Sequence, residues 1–302
     1  MNVVAYFHAY KFTHFSSPKI TKTEDPSQMS IGQKASTLFF GVDLPRPENK
    51  QLPNVPFETV KLKSKKSLDA WLMRVPNAKG TVILFHGYGG EKSSMLDKAY
   101  LFQNLGYNTF LVDFMGCGGS EGNQTTIGFK EAMDVKSAYD YLKAKGEASI
   151  ILFGTSMGAV AAMKAVNDFD LPVKSLIIEC PFGSLLQTVK NRFKTIGVPG
   201  FPMAYLLTFW GGVQNGFNAF NHNPGEYAKK IKYPTLLFYG QKDIKVSAGE
   251  IDNIYHNLAG PKKLVTFPLA AHENYLRMYK EEWLREISNF LALNIMPQYP
   301  VN

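Results

Sequence analysis

The stretch from Ser149 to Met163 constrains the chain most. Ile150, Ile151, Leu152 and Phe153 form an apolar run that reads as a buried strand. The run breaks at Gly154-Thr155-Ser156-Met157-Gly158, and a small-residue helix with Ala159, Ala161, Ala162 and Ala165 follows. A strand that stops at Gly-x-Ser-x-Gly and restarts as a helix must turn tightly. Side chains at 154 and 158 would strike the neighbouring strand and helix, so glycine is needed at both. The turn lifts the Ser156 hydroxyl above the sheet edge and aims the Met157 N–H at a developing oxyanion. The competing reading is a chance Gly-x-Ser-x-Gly in a loop, and the flanking strand and helix argue against it.

Strand and helix signals alternate on both sides of this turn. Phe57 to Leu62 alternates apolar and polar residues, as an edge strand should, and Leu68 to Val75 reads as its hairpin partner. Further strands are expected at Thr81–Phe85, Tyr107–Val112, Val173–Ile178, Thr235–Tyr239 and Leu264–Phe267. Helical spacing links Met95, Ala99, Phe102 and Leu105, then Ala132, Val135, Tyr139 and Leu142. Leu276, Tyr279, Trp283, Ile287 and Phe290 define a long closing helix. This alternation predicts an α/β fold with a mostly parallel sheet and right-handed crossovers. The core should comprise residues 56–182 and 233–302. Residues 183–232 hold no strand signal. Leu186, Val189, Phe193 and Ile196 give an amphipathic helix, and Met203 to Trp210 is apolar on nearly every side. That segment reads as an inserted helical lid. Residues 1–55 carry turn formers, with Pro45, Pro47 and Pro53 near their end, and read as an irregular arm.

Composition narrows the class. A 302-residue chain that is 45% hydrophobic and only 19% charged can bury a sizeable core, which excludes wholesale disorder. The net charge is +8, with basic clusters at 61–66, 229–232 and 262–263. No nucleic-acid motif accompanies them, so they read as solvated faces and no nucleic-acid partner is expected. Peripheral contact with an anionic membrane surface stays open. Cys117 and Cys180 end two different expected strands, which is neither a disulfide framework nor a metal spacing. Reduced thiols lean toward a cytoplasmic protein. No run reaches the ~18 apolar residues that span a bilayer. Met1 to Phe7 is apolar but short, with no basic n-region or cleavage site. It reads as an edge segment, or as the stub of a longer hydrophobic anchor, which would make the protein membrane-anchored or exported.

A serine hydroxyl needs a base. Among the six histidines, His272 lies between the last strand and the last helix, at the carboxyl edge where the turn also opens. His8, His14, His222 and His256 read as surface or packing residues. The base needs an acid to fix its tautomer. Asp243 ends the strand at 235–239, and the order Ser156, Asp243, His272 follows. Glu179 ends the preceding strand and is a rival acid. Asp113 opens the glycine-rich turn Asp113–Gly122 and reads as its brace. That turn lacks both Gly-Lys-Ser/Thr and the dinucleotide spacing, so no cofactor is expected there. His86-Gly-Tyr-Gly-Gly90 follows the strand at 81–85. Its glycines let the Tyr88 N–H face the turn and join the Met157 N–H as an oxyanion pair, while His86 props the loop.

Taken in order, His86–Gly90, Asp113-x-x-Gly-x-Gly-x-Ser-x-Gly122, Gly154–Gly158, Gly240–Asp243 and His272 resemble the motifs of the α/β-hydrolase superfamily. The resemblance covers roughly residues 56 to 292. It is greatest to the esterase, monoacylglycerol-lipase and serine-aminopeptidase-like branch. It implies the α/β-hydrolase fold with an eight-stranded sheet, a helical lid between the sixth and seventh strands, and a covalent acyl-enzyme. The expected function is a serine hydrolase that cleaves a carboxylic ester or thioester through Ser156, without metal or organic cofactor. Its partner would be a small acyl ester. Phe182, Phe193, Tyr205, Phe209 and Trp210 are candidates for binding the acyl group, against the plainer reading that they pack the lid on the body. Two alternatives stand beside this one. One is an aminopeptidase-type hydrolase that holds an ammonium with Glu179 or Glu273. The other is a ligand-binding protein that keeps the fold without turnover. The oligomeric state is left unassigned.

Overall fold

The computed structural model describes residues 1–21, 23, 30, 32, 33, 36, 37 and 41–295. Eight strands form one sheet: β1 Glu58–Lys63, β2 Ser67–Met73, β3 Thr81–Phe85, β4 Asn108–Val112, β5 Ile150–Thr155, β6 Ser175–Glu179, β7 Thr235–Gly240 and β8 Lys262–Phe267. Their order is β1-β2-β4-β3-β5-β6-β7-β8. The β1–β2 and β2–β4 pairs are antiparallel, and every other pair is parallel. All eight strands lie within three residues of the segments expected from the sequence.

The apolar runs of the central strands need cover on both faces, and the period of two divides them. Ile83 and Phe85 of β3 enter one core layer, and Val82 and Leu84 enter the other. Ile150 and Leu152 of β5 join the first layer, and Ile151 and Phe153 the second. Helices at Glu131–Ala144 and Met157–Phe169 cover the first layer through Val135, Tyr139, Val160 and Met163. Those at Leu96–Asn104 and Lys280–Ile295 cover the second through Phe102, Trp283 and Ile287. Each such side chain contributes about 1.5–3 kcal/mol by leaving water. The closing helix is broken, contrary to the single helix expected. A short turn at Tyr275–Met278 ends at Tyr279, whose φ of −127° and ψ of 45° leave the helical region.

Parallel register sets the functional edge. Phe85 stands opposite Val112 and Gly154, Thr155 opposite Glu179, and Gly240 opposite Phe267. The loops after β3, β4, β5, β6, β7 and β8 therefore emerge along one edge.

Between β6 and β7 lies a helical insertion. Its two main helices are Leu185–Thr195, capped by the Ser184 hydroxyl on the Gln187 N–H at 3.2 Å, and Met203–Asn215, ended by Gly216 in the left-handed region. The expectation of an irregular arm over residues 1–55 needs correction at its start. Asn2–Thr13 is a helix, here α1. Its sequence, Asn-Val-Val-Ala-Tyr-Phe-His-Ala-Tyr-Lys-Phe-Thr, is apolar nearly all round, so no 3.6-residue stripe marks it. The insertion selects its buried face. Ala5 and Ala9, one turn apart, let the helix approach Phe193, Ala204 and Leu207 closely. Beyond α1 the arm is held to the body. The Ser16 N–H donates to the Leu44 carbonyl and the Arg46 N–H to the Ser16 carbonyl, and the Arg46 guanidinium donates to the Ser120 and Gly122 carbonyls.

Candidate active site

Ser156 leaves β5 with φ +52° and ψ −112°, outside the regions an L-residue favours. Such a conformation costs about 1–3 kcal/mol and persists only where the surroundings enforce it. Here a Cβ on Gly158 would lie 2.3 Å from the Phe85 carbonyl oxygen, and one on Gly154 would lie 2.5 Å from the Ala159 nitrogen. The Ser156 N–H donates to the Glu179 carbonyl at 2.8 Å, which fixes the turn to β6.

The Ser156 hydroxyl lies 3.0 Å from Nε2 of His272. Nδ1 of His272 lies 2.6 Å from Oδ2 of Asp243. The other Asp243 oxygen accepts the N–H groups of Lys245 at 2.8 Å and Val246 at 3.0 Å. Asp243 is buried, so this carboxylate is oriented from both sides. Burial disfavours the His272 imidazolium. The neighbouring Cys180 side chain and the Asp243 carboxylate outweigh it and raise the His272 pKa. The three residues expected to act together are thus in hydrogen-bond order, with Ser156 able to donate to Nε2 while Nδ1–H donates to Asp243.

Tyr88 and Met157 follow β3 and β5 at the same edge. Among the described residues, neither backbone N–H has a hydrogen-bond partner, which is the condition for receiving an oxyanion. His86 props this loop as expected. It is fully buried, its Nδ1–H donates to the Gly87 carbonyl at 2.8 Å, and its Nε2 accepts the Phe114 N–H at 3.1 Å. Burial lowers its pKa and keeps the ring neutral. The Tyr88 hydroxyl donates to the Phe12 carbonyl at 2.7 Å, so the end of α1 holds the loop.

The rival residues have other partners. Glu179 accepts from Thr155 at 3.0 Å and from the Trp283 indole at 2.7 Å, with Lys98 at 3.7 Å. Asp113 braces its turn, taking the Gly119 N–H at 2.8 Å, the Asn49 amide at 2.9 Å and the buried Lys92 ammonium. His222 donates from Nε2 to the Ile127 carbonyl and accepts from the Tyr227 hydroxyl, each at 2.9 Å. Burial pushes its pKa down to about 4.

The five aromatic candidates for acyl binding are not gathered in one place. Phe182 is buried in the first core layer against His222 at 5.5 Å. Phe193 is buried against α1. Trp210 meets Tyr6 at 5.3 Å and donates to the Asn2 side chain at 3.3 Å. Tyr205 and Phe209 are exposed. The insertion spends part of its aromatic surface on α1, a partner no sequence period announced.

Other supporting residues escaped the sequence reading. Lys98 is buried, and its ammonium lies 2.9 Å from the Asn274 side chain as well as near Glu179. It thereby ties the His272 loop to the end of β6, whose Glu179 carbonyl holds the Ser156 N–H. Its signal was available: a lysine between Met95, Ala99 and Phe102 on an apolar helix face asks for a buried partner.

An eight-stranded sheet in this order, with a strained serine after β5 and an aspartate and histidine after β7 and β8, defines the α/β-hydrolase fold. Comparison agrees. Residues 76–204 match the family model described as serine aminopeptidase, S33. The bem46 protein of Schizosaccharomyces pombe is 26% identical over 275 residues, 85% of this chain and 86% of that protein. Protein YqkD of Bacillus subtilis is 25% identical over 221 residues, 70% of each chain. The structure of the Pyrococcus furiosus esterase Pf2001 superposes with a TM-score of 0.68 and 22% identity, covering 83% of this chain and 99% of that one. The chain has the α/β-hydrolase fold and is similar to these proteins.

Proposed function

We propose that this protein is a serine hydrolase that cleaves carboxylic esters or thioesters through an acyl-enzyme on Ser156. The observation that carries the reading is the unbroken hydrogen-bond path from Ser156 through His272 to Asp243, at 3.0 and 2.6 Å. His272 Nε2 takes the hydroxyl proton as Ser156 Oγ attacks the acyl carbon. The Tyr88 and Met157 N–H groups receive the oxyanion. As the intermediate collapses, the C–O or C–S bond breaks and the leaving group takes the proton from His272. Water, deprotonated by His272, then attacks the acyl-enzyme and frees the acid and Ser156.

An aminopeptidase-type activity is suggested by the description of the matching family model. It needs a carboxylate for the substrate ammonium. Glu179 is engaged by Lys98, Thr155 and Trp283, and the exposed Glu273 accepts its own loop's Ala271 N–H at 2.9 Å. These partners favour the ester reading. Exposure to a fluorophosphonate, followed by intact mass and peptide mapping, tests the nucleophile. One adduct on Ser156, lost in His272→Ala, is expected, together with turnover of acyl esters in preference to aminoacyl amides. A folded protein that takes no adduct would sink the proposal. A product burst equal to the enzyme without further turnover would point instead to a binding protein on this fold.

A further inference from the structure

We propose that the face built by α1 and the helical insertion docks on the surface of an anionic phospholipid bilayer. The inference is independent of the hydrolytic reading. Along α1 the residues opposite Ala5 and Ala9 point outward: Val3, Tyr6, Phe7 and Tyr10, with Phe7 60% exposed. Along Met203–Asn215 a second stripe, Tyr205, Phe209 and Val213, lies one turn apart and is also exposed, Phe209 to 47%. Trp210 joins the two. Its ring is 5.3 Å from Tyr6 and 5.2 Å from Phe209, both edge-on. The Gln214 amide fastens the helices by donating to the Tyr6 carbonyl at 2.8 Å. The result is one continuous apolar and aromatic surface on two packed helices. Exposed patches of this kind are interaction sites.

Charge selects the occupant. The chain has 25 acidic residues in 302, yet none falls in residues 2–13 or 185–215, the two segments that form this face. They hold Lys190, Arg192 and Lys194, together with Lys11, whose ammonium pairs with Asp43 at 2.9 Å. The Lys190 ammonium lies 4.6 Å from the centre of the Tyr205 ring and 2.9 Å from its hydroxyl, at the edge of the aromatic surface. Arg192 and Lys194 beside it are exposed. Tyrosine and tryptophan at the rim, apolar side chains at the centre and the cations Lys190, Arg192 and Lys194 beside them match the headgroup-to-acyl boundary of an anionic leaflet. The basic clusters at 61–66, 229–232 and 262–263 lie outside these two segments and carry no such apolar surface.

The test is sedimentation of the full chain with phosphatidylcholine vesicles, with and without phosphatidylglycerol, combined with quenching by brominated phosphatidylcholine. Trp71 and Trp283 are buried, so quenching by lipid reports on Trp210. Binding to the anionic vesicles, weakened by salt, with Trp210 fluorescence quenched, is expected. A Val3→Ser, Phe7→Ser, Val213→Ser variant should bind at least tenfold more weakly while its circular dichroism and unfolding temperature stay unchanged. Three results would overturn the proposal. One is no binding to anionic vesicles at low salt. Another is binding without Trp210 quenching, which would assign the contact to the other basic clusters. The third is a concentration-dependent dimer abolished by the triple variant, with no vesicle binding, which would make this face a self-association surface.

Discussion

At the scale of single residues, the pair His272 and Asp243 sets the pH response. Asp243 and Cys180 hold the His272 pKa above its ordinary 6.5 despite burial. The base form is therefore populated only as pH rises through that raised value. Ester kcat/KM should climb with pH and reach half its plateau above 6.5, and Asp243→Asn should lower the plateau about ten-thousandfold and move the midpoint down. A pH–rate profile of both forms decides this. Asp134 offers a stability counterpart away from the site. Burial pushes its carboxyl up to about 7, against the pull of the Met115 N–H and the Ser64 hydroxyl. Its folded value exceeds the unfolded 3.8, so its contribution is complete below 3.8 and lost as pH rises through about 7. Melting curves from pH 5 to 8 should fall less steeply for Asp134→Asn than for the parent chain. The buried Lys98–Glu179 pair is the third residue-scale device. Lys98→Met leaves Glu179 without its cation, and urea unfolding should show a loss of about 3 kcal/mol.

Elements differ in how they declared themselves. The strands did so through apolar runs, since a strand covered on both faces has nothing polar to alternate with. The turn at Ser156 did so through glycines whose absent side chains are a steric requirement. Helix α1 did not, because its sequence is apolar all round and its buried face depends on what packs there. Its attachment is correspondingly local. Ala9→Asp should release α1 from Phe193, Ala204 and Leu207 while the sheet remains intact. Hydrogen–deuterium exchange would then quicken over residues 2–13 and 185–215 but not over β3, β5 or β6. Faster exchange across the whole sheet would show that α1 supports the core itself.

The whole molecule is one sheet shared by two core layers, and this sharing predicts cooperativity. Trp71 and Trp283 both lie in the second layer, whereas far-ultraviolet circular dichroism senses all helices. Loss of either layer strips one face of every central strand, so the two signals should follow a single urea transition. An earlier phase, if one is seen, belongs to α1 and the insertion, whose cluster is separate from both layers.

The sequence alone determined the strand and helix order, the strained serine turn, the candidate base and acid, and the glycine loops beside them. Each rests on a local rule: periodicity, backbone sterics or the residue types a proton relay demands. The tertiary structure decided the contacts themselves. Ser156 and His272 are separated by 116 positions, and only the parallel register of β5, β6, β7 and β8 brings their atoms to 3.0 Å. Lys98 meets Asn274 across 176 positions, and Trp210 meets Asn2 across 208. Which aromatic side chains of the insertion face the body, α1 or solvent is a packing outcome. Phe193 and Phe209 are alike in sequence character, and the helix that happens to lie beside one of them decides their different fates.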